Sequence, residues 1–199
     1  MKTLGVGIVL MVALFFCLPY HLYMKQLWKK NPEKSWEKAR KFVSGFFRFE
    51  LKLSGCKVNV IGKENIPQDG PVLFVGNHRS YFDILIYHEA IGKPLGFLAK
   101  KEMEKIPLLP LYMRDIGCLF LDREDIKQGL SVIKQGTEYM KQGHSMVVFP
   151  EGTRNQTDTL LPFREGGYKM AEKSKSPIVP VSICRSDLML ESAPKDSQP

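Results

Sequence analysis

The first apolar run is the longest. Leu4 to Leu18 carries no charge, and the run continues through Pro19-Tyr20-His21-Leu22-Tyr23-Met24 before Lys25 stops it. About 21 uncharged residues are roughly what a helix needs to cross the hydrocarbon core of a bilayer. A cleaved signal peptide is the alternative, but only Met1-Lys2-Thr3 precedes the run and no small-residue cleavage pattern follows it. The expectation is a retained membrane anchor over residues 1–24, spanning or dipping into the bilayer. Lys25, Lys29 and Lys30, set against the lone Lys2, place the rest of the chain on the cytoplasmic face of the cell membrane.

Residues 33–53 change to a helical period. Asn31 and Pro32 supply a start signal. Trp36, Ala39, Phe42, Val43, Phe46, Phe47, Phe49, Leu51 and Leu53 then share one broad arc, while Lys34, Glu37, Lys38, Lys41, Arg48 and Lys52 share the other. Arg40 and Glu50 break the pattern and Gly45 weakens it. Aromatics opposite lysines suit a helix lying in a membrane interface, which makes 25–57 a basic amphipathic segment. Docking of the apolar arc on a protein core is the alternative, and the two are compatible.

From residue 58 the pattern shortens and alternates between element types. Val58 to Ile61, Pro71 to Val75, Leu95 to Ala99, Cys118 to Leu121, Met146 to Phe149 and Ile178 to Ile183 read as strands. Ser80 to Ala90, parts of Lys101 to Arg114, Asp125 to Gln142 and Gly167 to Lys173 read as helices between them. In the longest of these, Ile126, Leu130, Ile133, Thr137 and Met140 form the expected core face. Alternating strands and helices predict an α/β domain over 58–199, a mixed β-sheet flanked by helices, with its chemistry in loops at strand ends. A polar tail from Ser192 to Pro199 follows the last strand.

Charge sharpens this division. The net charge of +8 over 199 residues suggests an anionic partner. Residues 1–63 hold 12 Lys/Arg against 3 Asp/Glu, whereas the remainder is close to neutral. The excess therefore lies on the anchor flank and the amphipathic helix, which points to anionic membrane lipids rather than nucleic acid. Cys17, Cys56, Cys118 and Cys184 are too scattered to form a zinc site or a disulfide framework.

Four constellations carry chemistry. Asn77-His78-Arg79-Ser80-Tyr81-Phe82-Asp83 follows the first buried strand. On one helix His78 and Asp83 would lie about 140° apart, so a turn before Ser80 is needed to bring them together. Together they make a carboxylate-held imidazole able to act as a general base. Alternatively, Asp83 only completes a capping box with Ser80. Gly117 to Arg123 delivers Arg123 to a strand end, as an anion ligand or as a partner of Asp122, Glu124 or Asp125. Phe149-Pro150-Glu151-Gly152-Thr153-Arg154 presents Glu151, Thr153 and Arg154 around a tight Gly152 turn. Ile178-Val179-Pro180-Val181 places Pro180 in a strand, which confines that strand to an edge or a bulge.

In this order, the four motifs resemble those of the glycerolipid acyltransferase family, and within it the 1-acylglycerol-3-phosphate acyltransferases. Residues 97–110 look like the segment between that family's first two motifs. The resemblance covers 58 to about 190 and implies a membrane-associated α/β acyltransferase; since that family usually runs on past the last motif, the domain over 58–199 is expected to be C-terminally short. Its acyl donor would be a thioester of acyl carrier protein or coenzyme A, and its acceptor the sn-2 hydroxyl of lysophosphatidic acid, giving phosphatidic acid. It implies His78 as general base, Asp83 as its orienting carboxylate, no acyl-enzyme and no metal or other cofactor. It further implies Arg123 and Glu151, Gly152, Thr153 and Arg154 at the acceptor phosphate, with Lys100 assisting. Asn77 would support loop geometry and Pro180 the acyl-donor side. Acylation of another lyso-acceptor, or a non-catalytic membrane-binding role, are the competing readings.

Overall fold

The computed structural model describes residues 12, 14–155, 157 and 159–189. Residues 1–11 and 13 of the expected anchor, and the whole polar tail, lie outside the described residues. Among the described residues, no helix is long and apolar enough to cross a membrane.

Helix α1 (Leu18–Lys30) and helix α2 (Pro32–Leu53) come first. Asn31 separates them and caps α2, its side chain accepting from the Lys34 amide at 2.9 Å, with Pro32 in the first turn. Strand β1 (Leu73–Gly76), helix α3 (Phe82–Ile91), β2 (Leu95–Lys100), α4 (Leu109–Asp115) and β3 (Leu119–Leu121) follow. Helix α5 (Ile126–Lys141), β4 (Ser145–Val148), α6 (Tyr168–Ser174) and β5 (Ile178–Val181) complete the domain, with a short 3-10 turn at Ser186–Met189.

The strands form one sheet in the order β3-β2-β4-β1-β5. Every pairing is parallel, which corrects the expected mixed sheet. The cause is connectivity: each of β1 to β4 is followed by a helix that returns the chain to the same end. Val58 to Ile61 forms no strand. It passes close to β5 along a small cavity. Pro180 in β5 has no N–H to offer a sixth strand.

Successive residues of β1 serve opposite cores. Phe74 packs with Tyr87, Ile91, Phe97, Val147, Met24 and Ala39, beneath α1, α2 and α3. Leu73 packs with Met146, Val148, Val132, Met140 and Met170, beneath α5 and α6. Both faces of the sheet are thus covered, as a parallel sheet requires.

One expectation about helix faces changes here, and the docking alternative for α2 is met by part of its arc. In α5 the buried side is Val132, Ile133, Gly136, Thr137 and Met140, while Ile126 and Leu130 are exposed. Gly136 is responsible, because a Cβ there would meet Met170 Sδ at 2.3 Å, so α6 seats against that point. The apolar arc of α2 is divided between two surroundings. Trp36, Ala39 and Leu51 are buried, and Trp36 stacks on His144 with centroids 4.2 Å apart, so α2 docks on the domain. Phe49 and Leu53 stay 62% and 77% exposed. Helix α1 is tied to α4 by His21 Nδ1 and Asp115 Oδ2, 2.8 Å apart.

Candidate active site

A parallel sheet brings the C-terminal ends of all its strands to one edge, so residues following β1, β2, β3 and β4 gather there. Strands β1 and β4 are neighbours in register, Leu73 opposite Met146. Their exit loops therefore run side by side, and the Asn155 amide donates to the His78 carbonyl at 2.7 Å.

The turn after β1 folds as the spacing required. His78 Nδ1–H donates to Asp83 Oδ2 at 2.7 Å. The same oxygen accepts the Arg79 and Ser80 amides at 2.7 and 3.0 Å, and the Ser80 hydroxyl accepts from the Phe82 amide at 3.1 Å. One carboxylate thus accepts the Ser80 amide, as in a cap, and also holds the His78 ring. Asp83 is fully buried while the His78 side chain retains 17% exposure. Burial pushes the Asp83 carboxyl up. The His78 hydrogen bond, the Ser186 hydroxyl and the Ser80 and Arg79 amides together outweigh it and hold the group below its ordinary value. Phe149 fixes the other degree of freedom: its ring stacks on the imidazole at 4.1 Å and 12°. With Nδ1 committed to Asp83, Nε2 is the nitrogen left to take a proton.

The cations sit around the Gly152 turn. Gly152 has φ +72°, and a Cβ added there would lie 3.1 Å from Arg164 Nε and 3.7 Å from Arg123 Cζ. Asp122 is taken by Lys101 at 2.9 Å, and Asp125 caps α5. Neither Arg123 nor Arg164 forms an ion pair among the described residues. Burial and then the like charge of Arg164 push the Arg123 guanidinium down from its ordinary value. Lys100, Lys101, Glu102, Arg123 and Arg164 line a cavity of about 500 Å³. Lys100 itself holds Glu102 at 2.9 Å and is half exposed. Arg154 lays its guanidinium 3.9 Å from the centre of the Tyr81 ring, between His78 and Asp83 in sequence. Thr153 is exposed beside it.

Glu151 and Asn77 have inward roles. Glu151 Oε2 accepts from Asn155 Nδ2 at 2.6 Å and from the Leu161 amide at 2.9 Å, so this carboxylate ties Asn155 to Leu161. Asn77 grips the Ile183 backbone through two bonds of 2.8 Å. Pro180 lies opposite Val75 on the edge strand. The structure thus joins the His78 loop, the Glu151–Arg154 loop and Arg123 at one end of the sheet. It adds Phe149, Asn155, Arg164 and Ser186, to which sequence reading assigned no role. A solitary Arg before Glu-Gly-Gly carries no sequence signal; only the Gly152 turn reveals what it meets.

Comparison with known proteins gives a consistent result. A family model described as Acyltransferase matches residues 57–184. A Mycoplasma pneumoniae protein named probable 1-acyl-sn-glycerol-3-phosphate acyltransferase is 37% identical over 166 residues, covering 81% of this chain and 60% of its own length. The Borreliella burgdorferi 1-acyl-sn-glycerol-3-phosphate acyltransferase is 34% identical over 68% of this chain and 54% of its own. The Helicobacter pylori protein of the same name is 32% identical over 85% of this chain and 68% of its own. The chain thus spans less than two thirds of the first two relatives. A crystal structure titled as the 1-acyl-sn-glycerophosphate (LPA) acyltransferase PlsC of Thermotoga maritima shares the fold. Its TM-score is 0.61 at 24% identity, over 90% of this chain and 75% of that one.

Proposed function

This chain belongs to the Acyltransferase family, and from that premise we propose that it moves a fatty acyl group from a thioester to the sn-2 hydroxyl of 1-acylglycerol-3-phosphate, making phosphatidic acid. The observation that carries this reading is the Asp83-held His78 on the same sheet edge as Arg123 and Arg164, which form no ion pair among the described residues.

The chemistry follows from those groups. His78 Nε2 takes the proton of the acceptor hydroxyl as its oxygen attacks the thioester carbonyl. Asp83 stabilises the imidazolium that forms, as a buried carboxylate does for a neighbouring histidine. Collapse of the tetrahedral adduct breaks the C–S bond, and the imidazolium returns the proton to the departing thiolate. The products are an ester and a free thiol, with no acyl-enzyme. Arg123, Arg164 and Arg154 neutralise the acceptor phosphate; guanidinium forks match phosphate oxygens in pairs. Glu151 holds the loop that carries Thr153 and Arg154, and Lys100 adds positive charge at the cavity rim. The donor is an acyl thioester of coenzyme A or acyl carrier protein, with Pro180 on its side of the site.

A membrane location belongs to the same reading. Leu22, Phe49 and Leu53 are exposed on α1 and α2, and the basic excess of the chain lies on the same segment. Apolar side chains among lysines favour an anionic leaflet, where the acceptor resides, with the domain on the cytoplasmic side. The test is thiol release from acyl thioesters in anionic liposomes with a panel of lysolipids. Turnover is expected with the phosphate-bearing monoacyl acceptor. Equal turnover with a phosphate-free acceptor overturns the acceptor assignment.

A further inference from the structure

Beyond the four motifs, the chain turns back over the catalytic loop. After β5, Asn77 holds Ile183 by two backbone bonds. Four residues past that grip, Asp187 Oδ1 accepts from Arg79 Nε at 3.1 Å. These ties, one on each side of His78, fix residues 183–187 against the His78 loop. Ser186 lies between them, 2% exposed, in a turn that packs on α3, the helix carrying Asp83.

Among the described residues, Asp83 Oδ1 and Ser186 Oγ are both buried without a hydrogen-bond partner, as is Tyr87 Oη on α3. Asp83 Oδ2 has three donors and Oδ1 has none. An ionised carboxylate oxygen kept from water strongly favours a donor, and a serine hydroxyl rotates freely to supply one. We propose that Ser186 Oγ–H donates to Asp83 Oδ1 and is a positioning residue for the His78–Asp83 pair, on the reading that this pair performs the acyl transfer. The hydroxyl fixes the plane of the carboxylate, and through it the direction of the imidazole. It also draws charge toward Oδ1, away from the oxygen that faces His78. The effect of the Ser186 hydroxyl in lowering the Asp83 carboxyl agrees with this. The other ionisable groups near the carboxylate are His78, Tyr87 on α3, and the Arg79–Asp187 pair.

The test pairs Ser186→Ala and Ser186→Thr with the unaltered full chain. The imidazole of His78 is titrated by NMR, and kcat and KM for thioester transfer are followed against pH. In Ser186→Ala the carboxylate keeps more charge on Oδ2, so the His78 titration should move to higher pH by about half a unit. The acid limb of kcat should move with it, kcat should fall about tenfold, and KM should stay put. Ser186→Thr, which keeps the hydroxyl, should restore the titration. A residue with only a packing role would lower the melting temperature and leave the titration where it was. An unmoved His78 titration in a folded Ser186→Ala overturns the proposal. A moved titration in an enzyme that transfers no acyl group would sustain it and overturn the acyl-transfer reading instead.

Discussion

Arg123 and Arg164 approach the Gly152 turn together, the Nε of Arg164 and the Cζ of Arg123 lying 3.1 and 3.7 Å from the point a Cβ would occupy. Two converging guanidiniums repel each other, and an anion bound between them relieves that repulsion. Removing either should therefore weaken acceptor binding. A hydrogen bond to a charged group contributes about 1.5–3 kcal/mol. Arg164→Ala and Arg123→Ala should each raise KM for the phosphate-bearing acceptor by roughly 10- to 100-fold. Thioester hydrolysis without acceptor should be unchanged, as steady-state kinetics with and without acceptor will show.

Two buried histidines set the acid sensitivity of the fold. Burial, with the charge of Arg40, holds His88 down to about 3, and burial with the charge of His88 does the same to His144 against a bond to the Ile116 carbonyl. In the unfolded chain both titrate near 6.5. Below that pH the unfolded state binds more protons than the folded one, so stability is fully present above 6.5 and falls on acidification toward 3. Each histidine contributes a slope approaching about 1.4 kcal/mol per pH unit. Asp115 and Glu50, raised by burial, act in the opposite direction nearer the carboxylate range. Melting temperatures between pH 7 and 5.5 should therefore drop, and His88→Leu should flatten the slope by about half.

Glycine positions give a matched pair of stability tests. A Cβ on Gly76 would lie 2.0 Å from Tyr87 Oη and 2.7 Å from the Val181 carbonyl, so Gly76→Ala must shift β1 against its neighbours. A loss of more than about 2 kcal/mol is expected. Gly45 lies inside α2 with nothing within 4 Å of its Cβ position. Gly45→Ala should stabilise by about 0.5–1 kcal/mol. Urea melts of the two variants should move in opposite directions.

The exposed apolar residues of α2 are separable from the buried ones. Phe49→Asp and Leu53→Asp should lower binding to anionic vesicles in flotation assays, and added salt should weaken what remains. Neither change should alter the melting temperature. Trp36→Ala should do the reverse, because its ring stacks on His144 inside the domain.

What the sequence disclosed is what is encoded locally. A short apolar run followed by Asn77-His78 marks a buried strand and its exit loop, and Asn31-Pro32 marks the start of α2. His78 and Asp83 were legible as a pair because a five-residue turn joins them. Features set by distant segments were not legible. The uniformly parallel sheet arises from the whole set of crossovers, and the buried face of α5 is decided by Met170 seating on Gly136. Arg164 meets Arg123 across the Gly152 turn from far along the chain. Ser186 reaches Asp83 only because Asn77 and Arg79 hold the segment around it.

The central claim is that His78, held by Asp83, is the base that drives acyl transfer. The most direct measurement is kcat for acyl transfer to 1-acylglycerol-3-phosphate in liposomes by His78→Ala, beside wild type, with folding checked by circular dichroism. A fall on the order of 10³-fold with the fold intact is expected. Transfer by folded His78→Ala within a few-fold of wild type would contradict it.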